Sequence, residues 1–151
     1  MIISFGWTWP AFVAGQKCCT RRNWKDSTAM SYAKAFSEGR SHDAYDKSPL
    51  YGGRKIGSLR LSVEPYKSPL SWMPDVDFRN EGFEWMSRNP HCVPNGAYKE
   101  IWCAKNPRVL KDWHEAFERW RESNLELYVV RFDVISIRPD AVRRMEKMPT
   151  F

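Results

Sequence analysis

The sequence predicts an α+β fold built on a mainly antiparallel, curved sheet. Three observations lead there. Residues 56–66 alternate in polarity, with Leu59, Leu61 and Val63 set against Arg60, Ser62 and Glu64. Leu110, Trp113, Phe117 and Trp120 recur at i, i+3, i+7 and i+10, the stripe of an amphipathic helix facing a core rather than a ligand. Along the chain the order is strand, helix, strand, helix, strands, helix, strand. Pattern alone does not choose between an open sheet and a closed barrel.

Each element has its own signal. Residues 2–5 form a short buried strand. Thr8 caps a helix that begins near Pro10, since proline is tolerated in a first turn. Gly15 ends that helix, and 17–22 turn into a strand. Asp26 or Ser27 caps a second helix over 28–37, closed by Gly39. Residues 42–46 read as a strand and 47–53 as a turn-rich loop. Pro65 ends or edges the 56–66 strand. Residues 69–86 are a broken helical region containing Pro74 and Gly82. Residues 88–107 are irregular, as in an inserted loop. The last strand is 125–137, with Tyr128, Val130, Phe132 and Val134 on one side. A basic segment follows it, with a short helix over 139–148.

Composition narrows the function classes. The 151 residues fit one domain with a real core. With 28% charged and 42% apolar residues, the chain has the balance of a soluble globular protein. Its longest apolar runs, such as 127–130, are far too short to span a bilayer, so no membrane partner is expected. The start, Met1-Ile2-Ile3-Ser4-Phe5, lacks the basic region and cleavage pattern of a signal peptide, so the expected location is cytoplasmic. A net charge of +6 permits a polyanionic partner without requiring one. Eight tryptophans supply core packing and, for some, a stacking surface for a base. The four cysteines are expected to be reduced. His91, Cys92, Cys103 and His114 lack the close paired spacing of zinc modules, so neither metal nor cofactor is expected.

The most informative segment is Gly15-Gln16-Lys17-Cys18-Cys19-Thr20-Arg21-Arg22. It concentrates an amine, two thiols, a hydroxyl and two guanidiniums directly after an apolar stretch. It resembles the G-x-K-x-x-T-x-R signature of ASCH-domain proteins, small PUA-like domains associated with RNA. Within that group it is most similar to bacterial amidohydrolases that deacetylate acetylated cytidine. The resemblance extends over about 1–86 and 112–135, through Glu81-Gly82-Phe83 and the final Tyr128-Val129-Val130-Arg131-Phe132. It implies a PUA-like curved antiparallel β-barrel with surrounding helices. The ASCH-like domain would be 1–137, with 87–111 an insertion and 138–151 a basic C-terminal tail. It also implies a catalytic set of Lys17, Thr20 and Glu81.

The chemistry of those residues leaves two assignments open. Threonine is a weak nucleophile without a base beside it. Lys17 is that base only if its amine is neutral, which burial or nearby positive charge favours. Alternatively Glu81 is the base and Lys17 stabilises an oxyanion. Cys19 is a lesser rival nucleophile. In a regular strand i and i+3 point to opposite faces, so Lys17 and Thr20 share a pocket only across a turn or bulge. Substrate-binding candidates by proximity are Trp7, Trp9, Arg21, Arg22, Trp24 and Tyr45. The leading function is hydrolysis of an acetylated cytidine or related nucleoside. An RNA-binding module, with or without ribonuclease activity, is the alternative. Oligomeric state is not legible.

Overall fold

The fold is given by a computed structural model, which describes residues 1–92 and 113–148. Strands are β1 (Ile2–Ser4), β2 (Cys19–Arg22), β3 (Ser41–Tyr45), β4 (Lys55–Leu61), β5 (Tyr66–Pro69) and β6 (Glu126–Ile137). Helices are α1 (Trp9–Val13), α2 (Asp26–Ser37), α3 (Asp77–Asn80), α4 (Phe83–Arg88), α5 (Trp113–Glu122) and α6 (Pro139–Glu146). The architecture is mixed α+β, with a curled half-barrel sheet.

The long strand β6 organises that sheet. The strand order is β1-β3-β4-β6-β2, with β5 also on β6. The β1–β3 pair is parallel and the remaining pairs are antiparallel. Both β2 and β5 pair with Tyr128 and Val129, so they flank β6 on opposite edges. Further along, β4 pairs with β6 from Phe132 to Ile137. There Ser58 faces Ser136 but Leu59 faces Val134, a bulge that adds local twist and bends the sheet.

Several expected boundaries move, each for a physical reason. The strand expected over 56–66 stops at Leu61. Val63 is exposed, and the chain re-enters the sheet as β5 after Pro65, which has no N–H to donate. Thr8 does not cap α1: its hydroxyl donates to the Phe5 carbonyl, closing a 3₁₀ turn at Gly6–Thr8. Helix α2 starts at Asp26 after Lys25, without a side-chain cap. The region expected as broken helix resolves into a 3₁₀ turn (Leu70–Trp72), α3 and α4. In α5, Trp113 and Phe117 are buried and Trp120 is partly buried, as the stripe requires. Leu110, Cys103 and most of the expected insertion lie outside the described residues.

Two apolar clusters hold the elements together. In the first, Phe12 stacks on Phe5 at 4.8 Å, and both contact Phe132. Ile56, Leu59 and Val130 complete it beneath the sheet. The second contains Leu70, Met73, Phe78, Phe83, Met86, Trp113 and Phe117. Helix α1 lies between them, giving Phe12 to the first and Ala11 to the second, and all five of its residues are buried. Each large apolar side chain so buried contributes about 1.5–3 kcal/mol. The basic segment after Ile137 is also packed, because α6 buries Ala141 and sets Val142 and Met145 against the first cluster. Among the described residues no helix is long and apolar enough to cross a membrane.

His42, on β3, is only 2% exposed, and neither ring nitrogen has a hydrogen-bond partner among the described residues. Burial lowers its pKa, and the nearby chain N-terminus lowers it further, against a smaller opposing pull from Asp43. The unfolded chain therefore binds more protons below an unfolded pKa of about 6.5. Stability should be full above that pH and be lost as pH falls through the lower folded value. Urea midpoints at about pH 7.5 and about pH 5.5 test this. The wild type should lose more than His42→Phe, and equal losses would place the dependence on other groups.

Candidate functional site

A turn creates the site. Gly15 adopts φ +71°, a left-handed conformation open to glycine, and ends α1. The Gln16 N–H then donates to the Ala11 carbonyl at 2.9 Å. The next residues are clamped on two sides. The Cys18 N–H donates to the Asn80 carbonyl at 2.9 Å, and the Phe132 N–H donates to the Cys18 carbonyl at 3.0 Å. Lys17 thus belongs to the turn, and Thr20 lies inside β2. The i, i+3 obstacle disappears because Lys17 precedes the regular strand.

Glu81 reaches the same place from the turn between α3 and α4. It is the C-terminal cap residue of α3, and its N–H donates to the Asp77 carbonyl at 2.8 Å. Gly82 follows at φ +92°, where a Cβ would lie 2.8 Å from the Ala11 Cβ and 3.5 Å from the Lys17 Cβ. The close approach of this turn to α1 therefore needs a glycine.

Lys17 is 3% exposed and Glu81 is equally buried. The Lys17 Nζ donates to the Glu81 carbonyl at 2.6 Å and to Glu81 Oε2 at 3.3 Å. Glu81 Oε1 accepts from Arg21 Nη1 at 2.7 Å. Arg21 Nη2 pairs with Asp77 Oδ2 at 2.5 Å. Asp77, fully buried, also takes both terminal nitrogens of Arg131 at 2.9 Å in a fork-to-fork pair. Asn80 Nδ2 adds a bond to Asp77 Oδ1 at 3.0 Å.

This network sets the protonation states. Burial pushes the Lys17 amine below its ordinary value, opposed chiefly by the Glu81 carboxylate. Burial alone would raise the Asp77 carboxyl, but hydrogen bonds from Arg131, Arg21 and Asn80 carry it below the ordinary range. Burial pushes the Cys19 thiol up, and Glu81 pushes it further. Cys19 is also fully buried, so it is not an available thiolate nucleophile.

Lys17, Thr20 and Glu81 line one open cavity of about 300 Å³. Arg21 and Arg22 add charge to its lining, while Phe5, Trp7, Phe83 and Trp120 add aromatic surface. Trp7 and Trp120 both pack on Phe83, at 5.4 and 5.7 Å between ring centroids. The Thr20 hydroxyl makes no hydrogen bond to Lys17 or Glu81, and none to any other described residue. Among the described residues no cluster of His, Cys, Asp or Glu has metal-binding geometry.

Three expected substrate residues lie elsewhere. Trp9 is buried in the first apolar cluster, with the Arg144 guanidinium 5.1 Å over its ring, because the turn before α1 sends Trp7 and Trp9 to different surroundings. Trp24 follows β2 and stacks on Tyr32 of α2 at 4.2 Å. Tyr45 sits on β3, three places from β2 across the sheet. Conversely, Asp77, Arg131, Phe83 and Trp120 were missed. Asp77 had a signal, four residues before Glu81 and hence on the same helical face. Arg131 had one too, as a positive charge between the apolar Val129-Val130 and Phe132 of the last strand. Trp120 lines the cavity although its stripe reads as core, because its ring lies at the edge of the second cluster.

No family model matches the chain, and no curated protein matches it. Among solved structures, a crystal structure of a protein from Enterococcus faecalis V583, titled with the family model DUF984, is similar at 12% identity and a TM-score of 0.45. The likeness covers 89% of this chain and 73% of that one.

Two substitutions test the framework. Gly82→Ala should strain a left-handed turn and push its Cβ into Ala11, lowering stability by about 1–3 kcal/mol in urea unfolding. Unchanged stability would mean the turn is not held against α1. Asp77→Asn should cost about 3 kcal/mol, since it takes the carboxylate partner from Arg131 and one of two from Arg21, whose side chain is 3% exposed. A loss below about 1 kcal/mol would show that the network adds little net stability.

Proposed function

We propose that the chain is an amidohydrolase on a PUA-like ASCH scaffold, cleaving the acyl amide of an acetylated cytidine or related nucleoside. The observation that carries the reading is the convergence of Lys17 and Thr20, from one short segment, with Glu81, more than 60 residues away, on one aromatic-walled cavity. A volume of about 300 Å³ suits a single base or nucleoside. Trp7, Phe83 and Trp120 offer ring faces for stacking.

Lys17 serves as the base. As a neutral amine it has two N–H donors and one lone pair. Both donors are directed to Glu81, to its carbonyl and its carboxylate, which leaves the lone pair for a proton from the cavity. Burial favours this neutral form. In this arrangement both carboxylate oxygens of Glu81 are already engaged, Oε1 by the Arg21 guanidinium and Oε2 by the Lys17 amine. The role of Glu81 is to orient the amine.

The Thr20 oxygen attacks the acyl carbon, and its proton passes to Lys17 Nζ. The tetrahedral intermediate collapses by breaking the C–N bond. The leaving amine takes the proton back from Lys17. Water then hydrolyses the threonine ester, again through Lys17, and releases the carboxylic acid. The missing hydrogen bond between Thr20 and Lys17 is made when the substrate draws the two groups together.

Turnover of acetylated cytidine, as free nucleoside and within RNA, tests the proposal. Lys17→Arg keeps the charge but holds its proton, so kcat should fall by about a hundredfold or more. Thr20→Ala should abolish turnover, while Thr20→Ser should retain part of it. Because the base works deprotonated, kcat/KM should fall as pH drops through the lowered lysine pKa. Full activity of Lys17→Arg would transfer the base role to Glu81. No hydrolysis of any acetylated cytidine, with RNA bound instead, would favour the binding-module reading.

A further inference from the structure

The carboxylates of the site do not balance its cations. Four positive groups, Lys17, Arg21, Arg22 and Arg131, stand against Glu81 and Asp77. Glu81 takes Lys17 and Arg21, while Asp77 takes Arg21 and Arg131. Arg22 is left over. It lines the cavity, yet it has no carboxylate within ion-pair distance among the described residues. Its guanidinium donates one bond to the Ser4 carbonyl and lies 5.8 Å from the centre of the Phe5 ring. Its Nε is buried with no hydrogen-bond partner. A surplus remains even when Lys17 is neutral, because three guanidiniums then face two carboxylates.

A guanidinium held against an aromatic wall without a counter-ion is costly, and an anion would relieve that cost. A surface arginine would take its counter-ion from the solvent, but Arg22 sits where a ligand replaces water. We infer that the cavity takes an anionic substrate, whose phosphate or carboxylate oxygens pair with Arg22. On the proposed amidohydrolase reading, which supplies only the choice of probes, this narrows the acetylated nucleoside to its phosphorylated form, an acylated nucleotide, with an N-acyl amino acid as the carboxylate-bearing comparison. A planar guanidinium suits either oxyanion, since both accept its N–H groups in pairs.

The test is direct binding, without turnover. Calorimetry at low and high salt would compare cytidine with cytidine 5′-monophosphate, and N-acetylalanine amide with N-acetylalanine, on the wild type, Arg22→Gln and Arg22→Lys. One anion should bind at least about tenfold more tightly than its neutral counterpart. The stronger pair identifies the source of the oxyanion. Arg22→Gln should erase that preference by weakening the anion more than the neutral ligand. Arg22→Lys should restore part of it, which a purely structural role for Arg22 would not produce. Thermal melts of both variants exclude misfolding as the cause. Equal binding of anionic and neutral ligands, a preference that survives in Arg22→Gln, or no binding by any anion would overturn the inference. An anion preference without hydrolysis of any acyl amide would instead retain the anion site and remove the amidohydrolase reading.

Discussion

The buried ion network around Asp77 and Glu81 is the constraint on which the rest of the site depends. It joins β2, through Arg21, to β6, through Arg131, by way of Asp77 at the start of α3, and ties Arg21 also to Glu81 in the turn after it. Burying such charges is expensive, and attraction between partners offsets the cost only when the geometry is good. Here it is: Asp77 accepts from two guanidiniums and an amide, and Glu81 from a guanidinium and an amine. Stability alone does not require this arrangement, since an apolar cluster of similar volume is often as stable. Its distinctive effect is positional, because it fixes the Lys17 amine relative to the cavity.

Helix α1 is the second fixed point. Its five buried residues lie between the two apolar clusters, so it cannot shift without disturbing both. The turn at Gly15 therefore starts from a rigid base, and Lys17 inherits that rigidity. The aromatic residues share the labour. Phe5 belongs to the first cluster and Phe83 to the second, yet both also line the cavity. The cavity is thus the open seam between two packed cores, with the ion network along it.

Much of the fold was legible from periodicity. The strands near 2–5, 42–46 and 125–137, the α5 stripe and the helix after Ile137 all lie close to their expected places, because apolar spacing reports which side of an element faces a core. The long strand over 56–66 was misread. Alternation continued through Val63, and only the sheet reveals that the chain leaves its neighbour there. The candidate site divides in the same way. Lys17, Thr20 and Glu81 could be singled out from the chain because they resemble a motif. Trp9, Trp24 and Tyr45 were chosen for nearness in sequence, which does not fix the direction of a side chain.

The sequence by itself determined the class of elements, their order and the concentration of reactive groups in 15–22. These are local properties, carried by spacing, turn residues and composition. Only the tertiary structure decided which charges pair. Asp77 and Arg131 are 54 residues apart, and Arg21 and Glu81 are 60 apart, so no local pattern links them. The same holds for Arg22, which has no carboxylate within ion-pair distance among the described residues because of where the fold places it. A charge in a sequence is only a count; its partner, its burial and hence its chemistry are set by distances that exist after folding.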